Sequence, residues 1–406
     1  MTQPLHPKRR RPRYRGTHPR RFAEKYKERD PARFPKEREK VLASGRTPAG
    51  SHVPVLVAEV LQALAPAPGD VAVDATLGYG GHASELLRRI LPGGRLLALD
   101  VDPIELPRAE VRLKALAESL GDASAVKVVK RNFAGLRKLL AEEGLAHGAD
   151  IVLADLGVSS MQFDDPARGF SWKHDVPLDL RMNPERGQPA GILLLRMKRE
   201  EIEDFLRRFG DEPEAGRIAA ALHQTAAARG AQATHTFLSN SHVIPAVEPT
   251  GDAHGGLPDP LHLPRNLPLP LPLRTSDVIR AVESAYEGRT SRDASEAKKS
   301  SLQRTLQAIR ILVNDELTAL DAFLRDLPQC LAPGGRAAIV TFHSGEDRRV
   351  KKAFKAGLEA GFYARVADTV LRPTPRERGA NPRSSAAKLR WAVRADSGGP
   401  HATSGT

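Results

Sequence analysis

The chain has 406 residues, of which 40% are hydrophobic and 27% charged. This composition permits a sizeable core and excludes disorder over the whole chain, and the length suggests two domains or one domain with a large insertion. A single cysteine, Cys330, excludes a disulfide framework and indicates a reducing compartment, so we predict a cytoplasmic protein. No apolar run is as long as a membrane span, and no membrane partner is expected.

The formal net charge is +13, and its distribution is uneven. Residues 1–40 hold fifteen Lys and Arg against five Asp and Glu, so they carry +10 of it. Residues 1–50 are therefore predicted to form a basic, disordered arm that attracts polyphosphates, and nucleic acid is the favoured partner. A solubilising or targeting tail remains an alternative. A second disordered segment is predicted for the tail at 396–406.

Residues 51–165 alternate between short apolar runs and segments with helical spacing. Buried strands that alternate with amphipathic helices are typical of a parallel sheet covered on both faces. The fold class predicted is therefore α/β, with a doubly wound, Rossmann-like sheet. The predicted strands are 71–74, 95–100, 125–129 and 150–155, and the predicted helices are 55–64, 83–91, 104–120 and 133–143.

The alternation stops after Asp155, and residues 166–300 are predicted to be an inserted, mainly helical domain. Its helices are expected at 199–209 and 213–229. Eight prolines between 239 and 274 indicate an extended or disordered Pro/Leu-rich loop, since proline lacks a donor and fixes φ. The α/β pattern resumes over 301–395. There we predict helices at 302–327 and 346–360, strands at 335–342, 362–371 and 388–393, and a loop over the polar run 289–300.

The turn after the first strand contains Gly78, Gly80 and Gly81, followed by His82. Glycine lets the backbone approach a ligand that a Cβ would block. Twenty residues after Gly80 the second strand ends in Asp100, which can accept hydrogen bonds from both hydroxyls of a ribose. The dinucleotide fingerprint is incomplete, so the pattern favours S-adenosylmethionine as the cofactor. The alternative is a turn that only permits strand–helix packing.

Further polar residues follow the fourth and fifth strands. Asp155 ends the fourth strand at the same crevice, where a carboxylate can hold a donor such as an exocyclic amine; alternatively it only caps its loop. His343 follows the fifth strand and either contacts substrate or is a buried, hydrogen-bonded histidine. Asp164 and Asp165 have no ligand partner at a useful spacing, so no metal site is predicted.

Ten short motifs occur in a fixed order along the chain. Together they resemble the bacterial small-subunit ribosomal RNA methyltransferase H family, over about residues 51–185 and 300–392. The motifs are His52-Val-Pro-Val-Leu, Asp74-Ala-Thr-Leu-Gly-Tyr-Gly-Gly-His82, Asp100-Val-Asp-Pro103, Asn132-Phe133, Asp155-Leu-Gly-Val-Ser-Ser160, Arg168-Gly-Phe-Ser171, Asp179-Leu-Arg-Met182, Gln307-Ala-Ile-Arg-Ile-Leu-Val-Asn-Asp-Glu-Leu317, Phe342-His-Ser and Lys388-Leu-Arg390.

The resemblance implies a class I S-adenosylmethionine-dependent methyltransferase with an inserted helical domain. It implies methylation of N4 of a cytidine in the decoding region of 16S ribosomal RNA, within the small ribosomal subunit. Whether one chain acts or a homodimer does is left open. By position, the resemblance implies cofactor contacts at Gly80, Gly81, His82, Asp100, Phe133, Asp155 and Gln162.

For the reaction, we predict that Asp155 accepts a hydrogen bond from the acceptor amine and orients its lone pair. The base has to leave its stack, and Phe170 or Trp172 is expected to receive it. His343, Arg348 and Arg349 are further candidates for RNA contact. Cys330 is expected to be a packed core residue, which argues against transfer through a cysteine adduct. A non-catalytic RNA-binding assembly factor is the main alternative. An NAD-dependent oxidoreductase is disfavoured by the glycine pattern.

Overall fold

The computed structural model describes residues 54–240, 272–289 and 292–396. These residues belong to a compact unit that begins at Pro54. The predicted arm over 1–50, residues 241–271 of the Pro/Leu-rich stretch and the tail after residue 396 lie outside the described residues. None of the helices in the described ranges combines the length and apolar character that a membrane span requires.

A seven-stranded sheet forms the centre of the described unit, in the order β3-β2-β1-β4-β5-β7-β6. Strands β1 to β5 are parallel, whereas β7 is antiparallel to both β5 and β6. This order confirms the doubly wound, Rossmann-like α/β fold. The strands are β1 Val71–Asp74, β2 Arg95–Asp100, β3 Val126–Lys130, β4 Ala149–Asp155, β5 Leu331–Thr341, β6 Tyr363–Val366 and β7 Lys388–Arg394.

Thirteen α-helices are present in the described ranges. They are α1 Val57–Leu64, α2 Gly81–Ile90, α3 Leu106–Ser119, α4 Leu136–Glu142, α5 Ser160–Asp164, α6 Ala190–Arg196, α7 Arg199–Gly210, α8 Ala215–Asn240, α9 Thr275–Ala285, α10 Arg292–Asn314, α11 Glu316–Cys330, α12 Ser344–Glu359 and α13 Pro375–Ala380. Helices α5, α6, α9 and α13 have no counterpart among the sequence predictions.

Two apolar cores cover the two faces of the sheet. On one face, α1, α2 and α3 bury Leu64, Leu86 and Leu113. On the other face, α11 and α12 bury Phe323 and Val350, together with residues of α4. The strands between them are apolar on both sides because both faces are covered, which is the pattern that the continuous apolar runs predict.

A third core lies within the helices α6 to α10. It buries Phe205, Leu222, Val278 and Ile309, from four different helices of this group. The predicted boundary at residue 300 falls inside α10, whose second half contributes to this core. We refer to α6–α10 with the preceding loop 166–189 as the helical insert.

Two predictions in this region are wrong. Residues 292–300 form the first turns of α10 rather than a loop, because Ala297 and Leu302 pack on the insert core while Glu296 and Lys299 face outward. The single helix predicted over 302–327 is interrupted at Asp315, whose φ of +50° is left-handed, so α10 ends and α11 begins there.

Candidate active site

Three carboxylates follow one another along the carboxyl edge of the sheet. Asp74, Asp100 and Asp155 are the last residues of β1, β2 and β4. Because β1 pairs with β2 on one side and β4 on the other, all parallel, the three strand ends meet at the same crevice. This is the reversal point of the strand order, where open α/β sheets bind their ligands.

The glycine turn between β1 and α2 is held by Asp100. One carboxylate oxygen of Asp100 accepts a hydrogen bond from Gly78 N at 2.6 Å, and the other accepts one from Asp102 N at 2.9 Å. Gly80 has a φ of +85°, which favours glycine. A Cβ on Gly81 would lie 2.3 Å from Cγ of Pro54, so no side chain fits there without movement. Burial raises the pKa of the Asp100 carboxyl, against the backbone hydrogen bonds that it accepts.

Asp74, His82 and Asp155 form a polar cluster beside this turn, in which Asp74 and His82 are buried and Asp155 is partly exposed. His82 Nε2 lies 3.6 Å from Asp155 Oδ2, and only 6% of the His82 side chain is exposed. Burial raises the pKa of Asp74 to about 7, although Thr76 N donates to its Oδ1 and His82 is nearby. Burial alone would lower the pKa of His82, but the carboxylates of Asp155 and Asp74 outweigh it and raise that pKa. The backbone N–H of Asp155 donates to Thr76 Oγ1 at 2.6 Å, which joins the ends of β1 and β4.

Gln162, a predicted cofactor contact, belongs to a network of buried hydrogen bonds. Its side chain accepts from Ser159 N at 2.8 Å and donates to Asp102 Oδ2 at 2.8 Å. Arg168 donates to the same Asp102 oxygen at 2.9 Å, and both members of this ion pair are buried. Gln162 therefore joins the loop after β4 to the loop after β2, and its side chain holds these loops together beside Asp100.

Phe133 follows β3, at the strand end next to Asp100. Asn132 caps this turn by accepting from Ala134 N at 2.9 Å. The ring of Phe133 packs edge-to-face on Phe323, with the centroids 5.4 Å apart, and is only partly buried. The position of Phe133 at the rim of the crevice is compatible with the adenine contact that the resemblance implies.

The two aromatic candidates for the substrate base differ in exposure. Phe170 is 4% exposed and packs in the core of the helical insert, so in this structure it offers no ring face to a base. Trp172 is partly exposed and lies edge-on to Phe163, with centroids 6.4 Å apart. The guanidinium of Arg383 stands 4.9 Å above the Phe163 ring and pairs with Asp164, at the end of α5.

The side chain of His343 is buried, in line with the interpretation of this residue as a buried, hydrogen-bonded histidine. It caps α12, and its Nε2 lies 3.2 Å from Glu346 Oε1, with 6% of the imidazole exposed. Direct contact with substrate is therefore not available to it in this structure. Arg348 and Arg349 lie near the surface of the same helix and pair with Asp211 of the helical insert and Asp321 of α11.

Among the described residues, one group has ligand atoms close enough for a metal ion, formed by Glu316, His343 and Glu346. Both oxygens of Glu316 are already bound by Arg310, at 2.8 and 2.9 Å. Glu346 accepts from the backbone of Phe342 at 2.7 Å. The carboxylates therefore have partners without a cation. Cys330 is buried beneath β5, and burial raises the pKa of its thiol to about 12, so the thiolate needed for a nucleophile is not formed at neutral pH.

Residues 49–395 match the model of the MraW methylase family. The chain belongs to this family. A relative named ribosomal RNA small subunit methyltransferase H 1, from Lachnoclostridium phytofermentans, is 42% identical over 394 residues, covering 97% of this chain and 94% of its own. Ribosomal RNA small subunit methyltransferase H 2 from Alkaliphilus metalliredigens is 40% identical over 389 residues, covering 96% and 98%.

A methylase of the MraW family uses S-adenosylmethionine, and the residues of the crevice fit that cofactor. The cofactor carries a sulfonium and an ammonium, and the crevice offers three carboxylates to these cations. Two of its buried polar atoms, Nε2 of His82 and Oδ1 of Asp155, have no hydrogen-bond partner among the residues that the structure describes. Buried polar atoms normally have partners, so these two are suited to a ligand. Asp100 would hold the ribose, because its oxygens still have free lone pairs.

The sequence predictions for the site omit Asp74, Asp102 and Arg168. Asp74 carries the same signal as Asp100 and Asp155, because all three end a buried parallel strand. Asp102 and Arg168 stand in recognisable motifs, but their pairing joins positions 66 residues apart. No local pattern reveals such a contact.

Proposed function

We propose that this protein transfers the methyl group of S-adenosylmethionine to the exocyclic N4 of a cytidine in the decoding region of 16S ribosomal RNA. Membership in a methylase family and relatives named ribosomal RNA small subunit methyltransferase H support the reaction and the RNA substrate. The observation that carries the choice of an amine acceptor is Asp155, whose Oδ1 has no partner in the described ranges and which lies at the same sheet edge as Asp100.

The acceptor nitrogen needs help because its lone pair is delocalised into the cytosine ring. A carboxylate that accepts a hydrogen bond from the amine pulls the nitrogen towards a tetrahedral geometry. Asp155 has one oxygen directed to His82 and one oxygen free, so it can hold the amine while its own orientation is fixed. Holding cofactor and base together in line can contribute about 7–11 kcal/mol to the transfer, and the hydrogen bond to Asp155 supplies one part of this alignment.

The cofactor supplies an electrophilic methyl group on a positively charged sulfur. On transfer to the amine, the N–CH₃ bond would form as the S–CH₃ bond broke, and the bonding electron pair would stay on sulfur. The nitrogen then loses one proton, which the Asp155 carboxylate that holds the amine can accept. With 26% of its side chain exposed, Asp155 can release this proton to water. No cysteine adduct is needed, in agreement with the buried Cys330.

The target base is expected to enter beside α5, where Trp172 and the Arg383–Phe163 stack lie next to the loop that follows Asp155. Aromatic faces and guanidinium planes are the groups on which unstacked RNA bases are held. We propose Trp172 as the base platform and give Phe170 a structural part within the insert. Arg348 and Arg349 remain candidates for backbone contact. We also propose that the protein acts in the cytoplasm, where small subunits are found, and leave a homodimer as one arrangement of the active protein.

The direct test incubates the protein with labelled S-adenosylmethionine and small ribosomal subunits from a strain that lacks the gene. Nucleosides are then separated and identified by mass spectrometry. We expect the label in N4-methylcytidine at one position. Label in another nucleoside would contradict the N4 assignment, and RNA binding without label would favour the non-catalytic assembly factor.

The role of Asp155 is tested with Asp155→Asn, which keeps the shape and removes the charge. We expect kcat at saturating cofactor to fall by about 10² to 10³, the usual effect of losing one electrostatic contact in an active site. Asp368→Asn, an exposed position after β6, is the matched control and should keep full activity. Unchanged turnover of Asp155→Asn with cofactor bound would refute this role.

A further inference from the structure

A pocket of about 570 Å³ lies beside the proposed cofactor site. One side is formed by the carboxyl ends of β2 and β3, at Val101 and residues 130–132. The other side is the loop 181–187 of the helical insert, and the end of α10 at Val313 and Asn314 completes it. A cleft between two parts of a chain is a common location for a ligand.

The lining of this pocket is strongly basic. It contains five cationic side chains and no Asp or Glu: Lys130, Arg131, Lys138, Arg181 and Arg186. Four of them pair with carboxylates that stand outside the lining, namely Glu185, Glu142 (two cations) and Asp179. The pairs of Lys130, Arg131 and Lys138 are largely open to solvent and worth about 0–1 kcal/mol each, so a phosphate can compete for these three cations. Arg181 is more buried and is held by both oxygens of Asp179. Arg186 has no ion pair within the described ranges.

The insert side of the pocket is held in a fixed shape. Asn314 accepts from Met182 N at 2.7 Å and donates to Leu180 O at 2.8 Å. Leu180 has a φ of +61°, a left-handed conformation that a leucine keeps only when its surroundings hold it there. The buried Arg168 donates to the carbonyls of Arg181 and Met182, at 3.1 and 2.8 Å. A preorganised wall reduces the entropic cost of binding.

The same arginine links the pocket to the cofactor side of the crevice. Arg168 Nη1 binds Asp102 Oδ2, and Asp102 N binds Asp100, the residue placed on the ribose. The pocket is therefore adjacent to the reaction site. Its cations do not match the cofactor, because S-adenosylmethionine has no phosphate and its own charged groups include two cations.

We infer that this pocket binds phosphates of the RNA strand that flanks the target nucleotide. The inference rests on the proposed function, and it adds a backbone-binding subsite to it. Phosphate contacts of this kind fix the register of a nucleic acid without reading its sequence. The pocket thus positions the strand so that the flipped base reaches Asp155.

The test uses the double variant Lys138→Gln/Arg186→Gln, since both side chains are well exposed and neither has a buried partner. Affinity for the gene-deficient small subunits is measured across a salt series. Each lost phosphate contact lowers the slope of log K against log salt by about 0.7–0.9, so we expect a decrease of about 1.5 and roughly tenfold weaker binding near 0.15 M salt. Arg325→Gln is the matched control, because it removes an exposed cation outside the pocket. Arg325 lies near the end of α11, just before the start of β5, whereas the pocket lies at the carboxyl ends of β2 and β3.

The outcomes separate this inference from the proposed function. Labelling of N4-methylcytidine by the wild type tests only the proposed function. The variants test whether the pocket binds RNA phosphates. A salt slope equal to that of Arg325→Gln would overturn the inference. A loss of S-adenosylmethionine affinity in the double variant, measured by calorimetry, with unchanged RNA binding would overturn it as well, because the pocket would then serve the cofactor. Normal cofactor affinity with a reduced salt slope would support it.

Discussion

Replacing Asp74 with asparagine tests how strongly the crevice opposes a charge at the end of β1. Asp74 is 1% exposed, and burial raises the pKa of its carboxyl from 3.8 to about 7. A folded-state pKa above the unfolded value means that the folded protein keeps its proton longer. The contribution of Asp74 to stability is therefore complete below pH 3.8 and is lost as the pH rises through about 7.

The expected magnitude follows from this displaced pKa. Each pH unit between the unfolded and folded pKa costs about 1.36 kcal/mol, so the wild type loses about 3 kcal/mol between pH 5 and pH 8 through this group. Asparagine does not titrate, and its Oδ1 still accepts from Thr76 N. Because His82 loses an attractive neighbour in the variant, about 3 kcal/mol is an upper limit for the gain.

The measurement is urea unfolding of Asp74→Asn and the wild type without cofactor at pH 5 and pH 8. The variant should gain stability relative to the wild type as the pH rises, and the gain should level off near pH 8. Asp204→Asn, whose side chain is 58% exposed in α7, should show no such pH-dependent difference. An equal stability difference at both pH values would refute the proposed displacement of the Asp74 pKa.

Three further changes have defined outcomes. Gly81→Ala places a Cβ against Pro54. We expect the free energy of unfolding to fall by about 1–3 kcal/mol, and calorimetry to show weaker cofactor binding. Unaltered values of both would show that the turn can move. Arg168→Met leaves the buried Asp102 with its hydrogen bond from Gln162 but without a cation, and should lower unfolding stability by about 3–5 kcal/mol in urea, whereas a neutral effect would mean that water reaches Asp102. Deleting residues 1–45 should reduce the salt dependence of subunit binding and leave cofactor affinity unchanged; an unaltered salt slope would favour a solubilising or targeting role for the arm.

Local patterns predict most of the elements around the sheet, and within the insert they predict α7 and α8 but not α6, α9 or the start of α10. The strands that end at Asp74, Asp100 and Asp155 are recognisable because burial on both faces requires continuous apolar runs. Helix α10 was missed over 292–300 because its outward side chains are polar, and its packing on α7, which is distant in sequence, and on α9 is not visible in a local pattern. The interruption at Asp315 has no glycine or proline to mark it.

The sequence by itself determined the α/β alternation, the glycine turn and the acid at the end of each of three strands, since these depend on neighbours along the chain. The tertiary structure decided which of the candidate side chains face the crevice. It buried Phe170 and His343, used Gln162 to join two loops, and assembled the basic pocket from β3, the insert and α10. These outcomes depend on contacts between segments tens to hundreds of residues apart, which periodicity and spacing do not encode.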